Sequence, residues 1–274
     1  MWRLTAPQAS PPATNKNTAS LGSSVVATRF VPAASKIPSS FANQPSLHIW
    51  ELPLRFAPPK DPLENILINV IQHQRCLAVG GTRGTALTGP SKISLKPLLC
   101  LEPSTSTHPV LFILSGLLRA LTHRGLPEKV GNLIIMYPVF QWQISPTVET
   151  YNNLPEYYTP LASQVVTPHP AWITYIGWPK LRDIVITNQE RYATDEFKHL
   201  FTTSSNVNWP YRSDDIFFIV DGDIRVSEAF MKHARRLENW SLDRPFQNRY
   251  PELRDFCRFT EDRAVIRKLD ASNQ

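Results

Sequence analysis

Prolines head one apolar segment after another in this chain, and that placement constrains the fold more than any other feature. There are 25 prolines against 10 glycines. Proline fixes φ and lacks an N–H, so it suits the first turn of a helix, breaks a helix from within and cannot sit inside a central strand. A chain punctuated in this way is expected to form many short helices. Asp61-Pro62-Leu63-Glu64 has an N-cap acceptor, a proline at the first helical position and an acid in the first turn. Ser145-Pro146, Pro168-His169-Pro170 and Trp178-Pro179 read as further helix starts.

Helical spacing of apolar residues supports the longer elements. Leu63, Ile66, Leu67, Val70 and Ile71 give a helix over 61–79, closed by Gly80-Gly81. A loop over 82–94 follows. Residues 109–124 are apolar nearly all round, which predicts a central helix. Pro127 opens another over 127–143, with Val130, Leu133, Ile134, Tyr137 and Phe140 on one face. The first of this pair is shorter than the roughly 20 residues a membrane span needs, and the second carries Glu128, Lys129 and Asn132, so both are read as buried helices with no membrane role. Compact helices are expected over 178–186 and 195–203, and a strong amphipathic one over 227–240. Ile216 to Val220 reads as a lone strand or a buried extended segment. The fold class expected is mainly α, an irregular bundle with short proline-started helices wrapped around it.

Residues 1–50 contain no Asp or Glu, and only Arg3, Lys16, Arg29 and Lys36 are charged. A stretch this rich in Ser, Ala, Pro and Thr buries too little apolar surface to offset chain entropy. Residues 1–57 are therefore expected to be a disordered basic tail, with a second tail over 261–274 and the helical domain over 58–260. A mitochondrial transit peptide is the alternative for an acid-free N-terminus, although Pro7, Pro11 and Pro12 interrupt the amphipathic helix it needs. Cys76, Cys100 and Cys257 are odd in number and widely spaced, which supports neither a disulfide framework nor a zinc site. The net charge of +6 is dispersed, and its densest run, residues 232–236, reads as a solvated helix face with a phosphate-contacting patch as the alternative.

Catalytic motifs fail one by one. Gly84 to Ser91 has phosphate-loop glycine spacing, but Pro90 replaces the lysine and removes an N–H, and a helix precedes it where a strand is required. The His73 and Cys76 pair lies at i, i+3, but a structural cysteine, buried or half-buried, is the better reading. His169 lies between two prolines, with Asp183 and Ser163 as nominal catalytic partners; packing is preferred. His108 before Pro109 reads as helix-start chemistry. Asp221-Gly222-Asp223 lacks the later ligands of a calcium loop and reads as a turn. No catalytic, cofactor-binding or metal-binding residues are assigned.

The tryptophans Trp142, Trp172, Trp178, Trp209 and Trp240 suit anchors for short helices, each indole N–H meeting a carbonyl; an aromatic ligand pocket is the alternative. The surface put forward for a ligand or partner comprises Trp142, His169, Trp172, Trp178 and Arg182.

The stretch from Gln141-Trp142-Gln143-Ile144-Ser145-Pro146, through Leu154-Pro155-Glu156 and Pro168-His169-Pro170-Ala171-Trp172, to Trp178-Pro179-Lys180-Leu181-Arg182-Asp183, Asn208-Trp209-Pro210-Tyr211 and Pro251-Glu252-Leu253 resembles a fungal domain of unknown function. Asp61-Pro62-Leu63 and Ser106-Thr107-His108-Pro109 fit the same layout. Such domains stand C-terminal to the basic region and zipper of bZIP-type transcription factors. The resemblance implies transcriptional regulation in the nucleus, often near secondary-metabolite gene clusters, and supplies no catalytic residues. Residues 1–57 carry neither an arginine-dense N-x-x-A-A helix nor leucine heptads. The expectation is action through protein partners, among them a zipper-bearing factor, with DNA contact indirect or weak. A small-molecule-binding or catalytic accessory role in the same pathway is the alternative, with the cytoplasm as the alternative location.

Overall fold

The computed structural model describes residues 48–100, 107–122 and 124–260. The tail readings for 1–47 and 261–274 lie outside these residues. Twelve α-helices are described, with two small two-stranded sheets, so the protein is mainly α as expected.

The proline rule holds at the three longest helices. Helix α1, Pro62–Val79, is capped by the Asp61 carboxylate, which accepts from the Glu64 N–H at 2.9 Å. A cap of this kind contributes about 1 kcal/mol. Two one-turn helices, α2 (Thr85–Thr88) and α3 (Lys96–Leu99), occupy and follow the expected loop. Helix α4, Pro109–Ala120, is capped by His108, whose Nδ1 accepts from the Val110 N–H at 3.3 Å while Nε2 donates to the Ala86 carbonyl at 3.2 Å. Both bonds together require the neutral Nε2–H tautomer. Burial lowers the imidazole pKa, with the Ala86 bond partly opposing.

The central helix is α5, Leu126–Ile144, and not α4. Every residue from 137 to 144 is buried, whereas α4 leaves Phe112 42% exposed. Helix α5 runs through Pro138, because tertiary burial on all sides outweighs the one lost backbone bond.

Short elements wrap around this axis: α6 (Val148–Asn152), α7 (Ala162–Val166), a 3-10 turn at Ala171–Tyr175, α8 (Pro179–Thr187), α9 (Gln189–Tyr192) and α10 (Asp195–Ser204). Strand β1, Ser205–Asn206, later pairs antiparallel with β4, Ser241–Leu242. Strands β2 (Phe217–Val220) and β3 (Asp223–Val226) form a hairpin, so 217–220 is neither lone nor buried, with Ile219 71% exposed, and of the expected segment only Ile216, the last residue of a 3-10 turn, is fully buried. Its two-residue turn, Asp221-Gly222, has φ of 50° and 69°, the left-handed pair that a tight hairpin demands. Leu95 docks on the other edge of β3 by donating its N–H to the Ile224 carbonyl at 2.8 Å.

The helix expected over 227–240 is shorter. Helix α11, Glu228–Ala234, stops where side chains capture its last carbonyls: the Asn239 amide donates to His233 at 2.9 Å and the Trp240 indole to Ala234 at 2.8 Å. A 3-10 turn, Leu237–Asn239, precedes β4, and α12 (Arg244–Arg249) closes against α10 through Phe197 and Phe246.

Residues 48–57, assigned above to the tail, are instead held on the domain. Arg55 and Ala57 donate their N–H groups to the carbonyls of Gln164 and His169, both at 2.9 Å, and the His169 N–H returns a bond to the Arg55 carbonyl at 3.0 Å. The Trp142 indole donates to the Trp50 carbonyl at 2.9 Å. Trp50, Leu52, Leu54 and Phe56 alternate along this segment, a period-2 apolar signal too short to stand out beside the proline-rich residues before it.

Candidate functional site

Three helices each turn one stripe toward a shared cavity of about 150 Å³. Leu63 and Leu67 come from α1, Asn132, Ile135 and Met136 from α5, and Lys198, Phe201 and Thr202 from α10. In each case the spacing is i, i+3 or i, i+4, which places the side chains one above another on a helix face. Leu117, Leu118 and Leu121 from the end of α4 add to the apolar wall, and Tyr157, Tyr158, Trp172, Tyr175, Gly177 and Trp178 close it. Ser205, Leu237 and Trp240 complete the lining.

Aromatic contacts stiffen this wall. The Trp178 ring stands at 90° to Phe201 with centroids 6.3 Å apart, and Tyr175 stacks on Phe140 at 5.7 Å. Most polar groups in the lining are already engaged. The Tyr158 hydroxyl donates to the Tyr175 carbonyl at 2.9 Å, the Asn132 amide to Glu128 at 2.8 Å, and the Thr202 hydroxyl to Lys198 at 2.8 Å. Lys198 pairs with Asp61 and, at 3.2 Å, with Asp195. Burial pulls the Lys198 pKa down, but these two carboxylates outweigh it and leave the ammonium above its ordinary value.

Two of the five surface residues expected from the sequence, Trp172 and Trp178, meet at this cavity. Arg182 lies behind it and is fully buried. Its guanidinium donates to the carbonyls of Ile176 (2.8 Å), Tyr157 (3.0 Å) and Thr159 (3.1 Å). Burial pushes its pKa down to about 10, with Tyr158 and Asp183 partly opposing. Trp142 is buried and lines a different cavity of about 240 Å³, between residues 51–56 and helices α1 and α5. His169 is fully buried and lines neither. Its Nδ1 bonds to the Thr167 carbonyl at 2.9 Å, its ring meets Phe56 edge-on, and burial lowers its pKa. It makes no hydrogen bond to Asp183 or Ser163 among the described residues, so the packing reading fits its surroundings.

Cys76 is exposed, as is Cys100, while Cys257 is buried, which corrects the expectation of a buried or half-buried Cys76. Residues 72, 73, 75, 76 and 77 all lie on the open side of α1. Among the described residues no group of three or more His, Cys, Asp or Glu side chains is placed to hold a metal ion, and no helix is long and apolar enough to cross a membrane.

Sequence reasoning missed Tyr157, Tyr158, Tyr175 and Phe201 as lining residues. Their crowding with Trp172 and Trp178 was the available signal, but which aromatics share a cavity depends on the crossing of α1, α5 and α10.

Residues 137–262 match a family model described as a domain of unknown function (DUF3425). That segment contains the aromatic wall and α10, and the motifs from Gln141 to Leu253 lie within it. Helices α1 and α4 stand outside it. No curated protein and no solved structure matches the chain.

Proposed function

We propose that the chain is a regulatory domain of fungal transcription control that senses a small apolar molecule, with the aromatic cavity as its sensor. The observation that carries the reading is the cavity itself: a largely apolar, partly open pocket, most of whose polar groups are already hydrogen-bonded within the protein, suits reversible binding better than bond-breaking chemistry. The resemblance to domains of bZIP-type factors supports the transcriptional setting. On this reading the domain works in the nucleus through protein partners, a zipper-bearing factor among them, and contacts DNA indirectly. Occupancy would couple to the rest of the fold through α1 and α10, which the Asp61 and Lys198 pair joins beside the cavity.

Met136→Trp tests the reading, since it extends a flexible wall residue of α5 into the cavity. The variant should stay folded, lose binding of apolar probes and alter the same transcripts that deletion of the gene alters. Deletion that left nearby transcripts unchanged while abolishing a chemical step would overturn it in favour of an accessory enzyme.

A further inference from the structure

The two edges of the β2–β3 hairpin differ. Strand β3 is covered on its outer side, where Leu95 donates its N–H to the Ile224 carbonyl at 2.8 Å, whereas no strand lies beyond β2 among the described residues. Two bonds fix which backbone groups of β2 face outward. The Ser227 N–H donates to the Ile216 carbonyl at 2.9 Å, and Ile224 turns its own carbonyl away from β2 toward Leu95. With Phe218 opposite Arg225 and Val220 opposite Asp223, the even-numbered residues of β2 are the ones bonded to β3. Phe217 and Ile219 therefore direct their N–H and C=O groups to the free edge. No hydrogen bond to these four groups occurs among the described residues.

A bare edge is a template for another strand, and proteins ordinarily blunt it with lysine, proline or a bulge. Phe217-Phe218-Ile219-Val220 has none of these, and Phe218 and Ile219 are 49% and 71% exposed. The surroundings are acidic in a chain whose net charge is +6: Asp214, Asp215, Asp221 and Asp223 stand against Arg212 and Arg225, a local balance of −2. The two arginines pair with Asp214 and Asp223. That leaves the exposed Asp215 and Asp221, flanking β2 on either side in the chain, without an ion pair among the described residues.

We infer that the free edge of β2 binds an extended segment of a partner protein, apolar at alternate positions and basic at both ends. Backbone bonds to Phe217 and Ile219 hold the added strand. Its alternate side chains extend the face formed by Phe217, Ile219, Ile224 and Val226, which the cross-strand register makes wholly apolar. Basic residues at its ends meet Asp215 and Asp221. A second copy of this chain fits the edge poorly. An antiparallel pair of β2 strands centred on Phe218 sets Phe217 opposite Ile219 and brings Asp215 of each copy toward Asp221 of the other, two like-charge contacts. The inference concerns how the chain meets protein partners and does not depend on the cavity.

The experiment titrates the purified full chain with a blocked peptide, Lys-Lys-Val-Thr-Val-Thr-Val-Lys-Lys, and with its counterpart bearing glutamates for lysines. Fluorescence anisotropy should show the lysine peptide binding about tenfold more tightly. Amide hydrogen exchange at Phe217 and Ile219 should slow about tenfold in the complex. Ile219→Pro removes an outward N–H and no bond to β3, so it should fold and abolish binding. Asp215→Asn combined with Asp221→Asn leaves the edge intact and should weaken the lysine peptide about fivefold. If the proline variant melts early, the exchange pattern and the double asparagine variant decide. No binding of the lysine peptide, equal binding of the two peptides, or unchanged exchange at Phe217 and Ile219 would overturn the inference. A chain that dimerises alone, and is monomeric as Ile219→Pro, would assign the edge to a second copy and overturn the partner assignment.

Discussion

The Arg182 guanidinium carbon lies 5.7 Å from the centroid of the Tyr158 ring, over its face, while its nitrogens hold three backbone carbonyls. One fully buried cation therefore ties α8 to the 157–159 segment behind the cavity. Lysine cannot reproduce the planar fork. Arg182→Lys is expected to lower stability by about 2–4 kcal/mol, because at least two buried carbonyls lose their donor. Arg182→Met should cost at least as much. Urea unfolding of the two variants checks this, and a methionine variant as stable as the parent would show that the carbonyls find other partners.

Gly89 has φ of +88°, and a Cβ there would strike the Tyr137 hydroxyl and approach His108 Nδ1 at 3.0 Å. Strain and overlap act together, so Gly89→Ala should destabilise by about 3 kcal/mol or more. Adding Tyr137→Phe removes the struck oxygen but also its 2.9 Å bond to the Pro90 carbonyl. The double variant should recover part of the loss in a thermal melt, and no recovery would assign the whole effect to the backbone angle.

His108 and His169 are both held below the ordinary imidazole value of 6.5 by burial. The unfolded chain then binds more protons than the folded one as pH falls below 6.5, so stability present above that value drains away on acidification. His108→Asn retains an N-cap acceptor and deletes one titrating ring. Melting temperatures measured across this range should fall less steeply for the variant than for the parent. Identical slopes would remove His108 as a contributor.

Burial raises the hydroxyl pKa of Tyr137, Tyr157, Tyr158 and Tyr175 above the ordinary value of 10.0. Their contribution is complete below pH 10 and is lost as pH climbs toward the folded values, because only the unfolded chain ionises there. Tyrosinate absorbance from these four should appear together with loss of helical dichroism in an alkaline titration. Ionisation that ran ahead of unfolding would place these hydroxyls in contact with water.

Thiol labelling should separate the three cysteines. Cys76 and Cys100 are exposed, whereas Cys257 is buried with its Sγ directed to the Leu253 carbonyl at 3.4 Å. Two equivalents of a maleimide should react rapidly in the native protein and the third only on denaturation. Rapid labelling of Cys257 would mean that the segment around it opens freely.

Helix starts were legible because proline and its capping neighbours act locally, as at Asp61-Pro62, His108-Pro109 and Trp178-Pro179. Helix ends were less so. The stop after Ala234 depends on Asn239 and Trp240 folding back, and passage through Pro138 depends on burial by distant elements. Strand β3 was hidden because Asp223 and Arg225 alternate with Ile224 and Val226 in a stretch dominated by its turn. At the cavity, Trp172 and Trp178 stood out as residue types, but their shared position arises only from tertiary packing.

The segment ahead of α1 has a consequence in time. Arg55 reaches the Val166 carbonyl across 111 positions, and Trp142 reaches Trp50 across 92. At about 5–20 residues per second of synthesis, Trp50 and Arg55 leave the ribosome roughly 5 to 20 seconds before their partners do. Through that interval the side chains at 50 and 55 lack the partners at 142 and 166 that hold them in the finished fold, so this stretch is open to chaperones and proteases while the chain is being made, and the last stitch to close is among the first stretches synthesised.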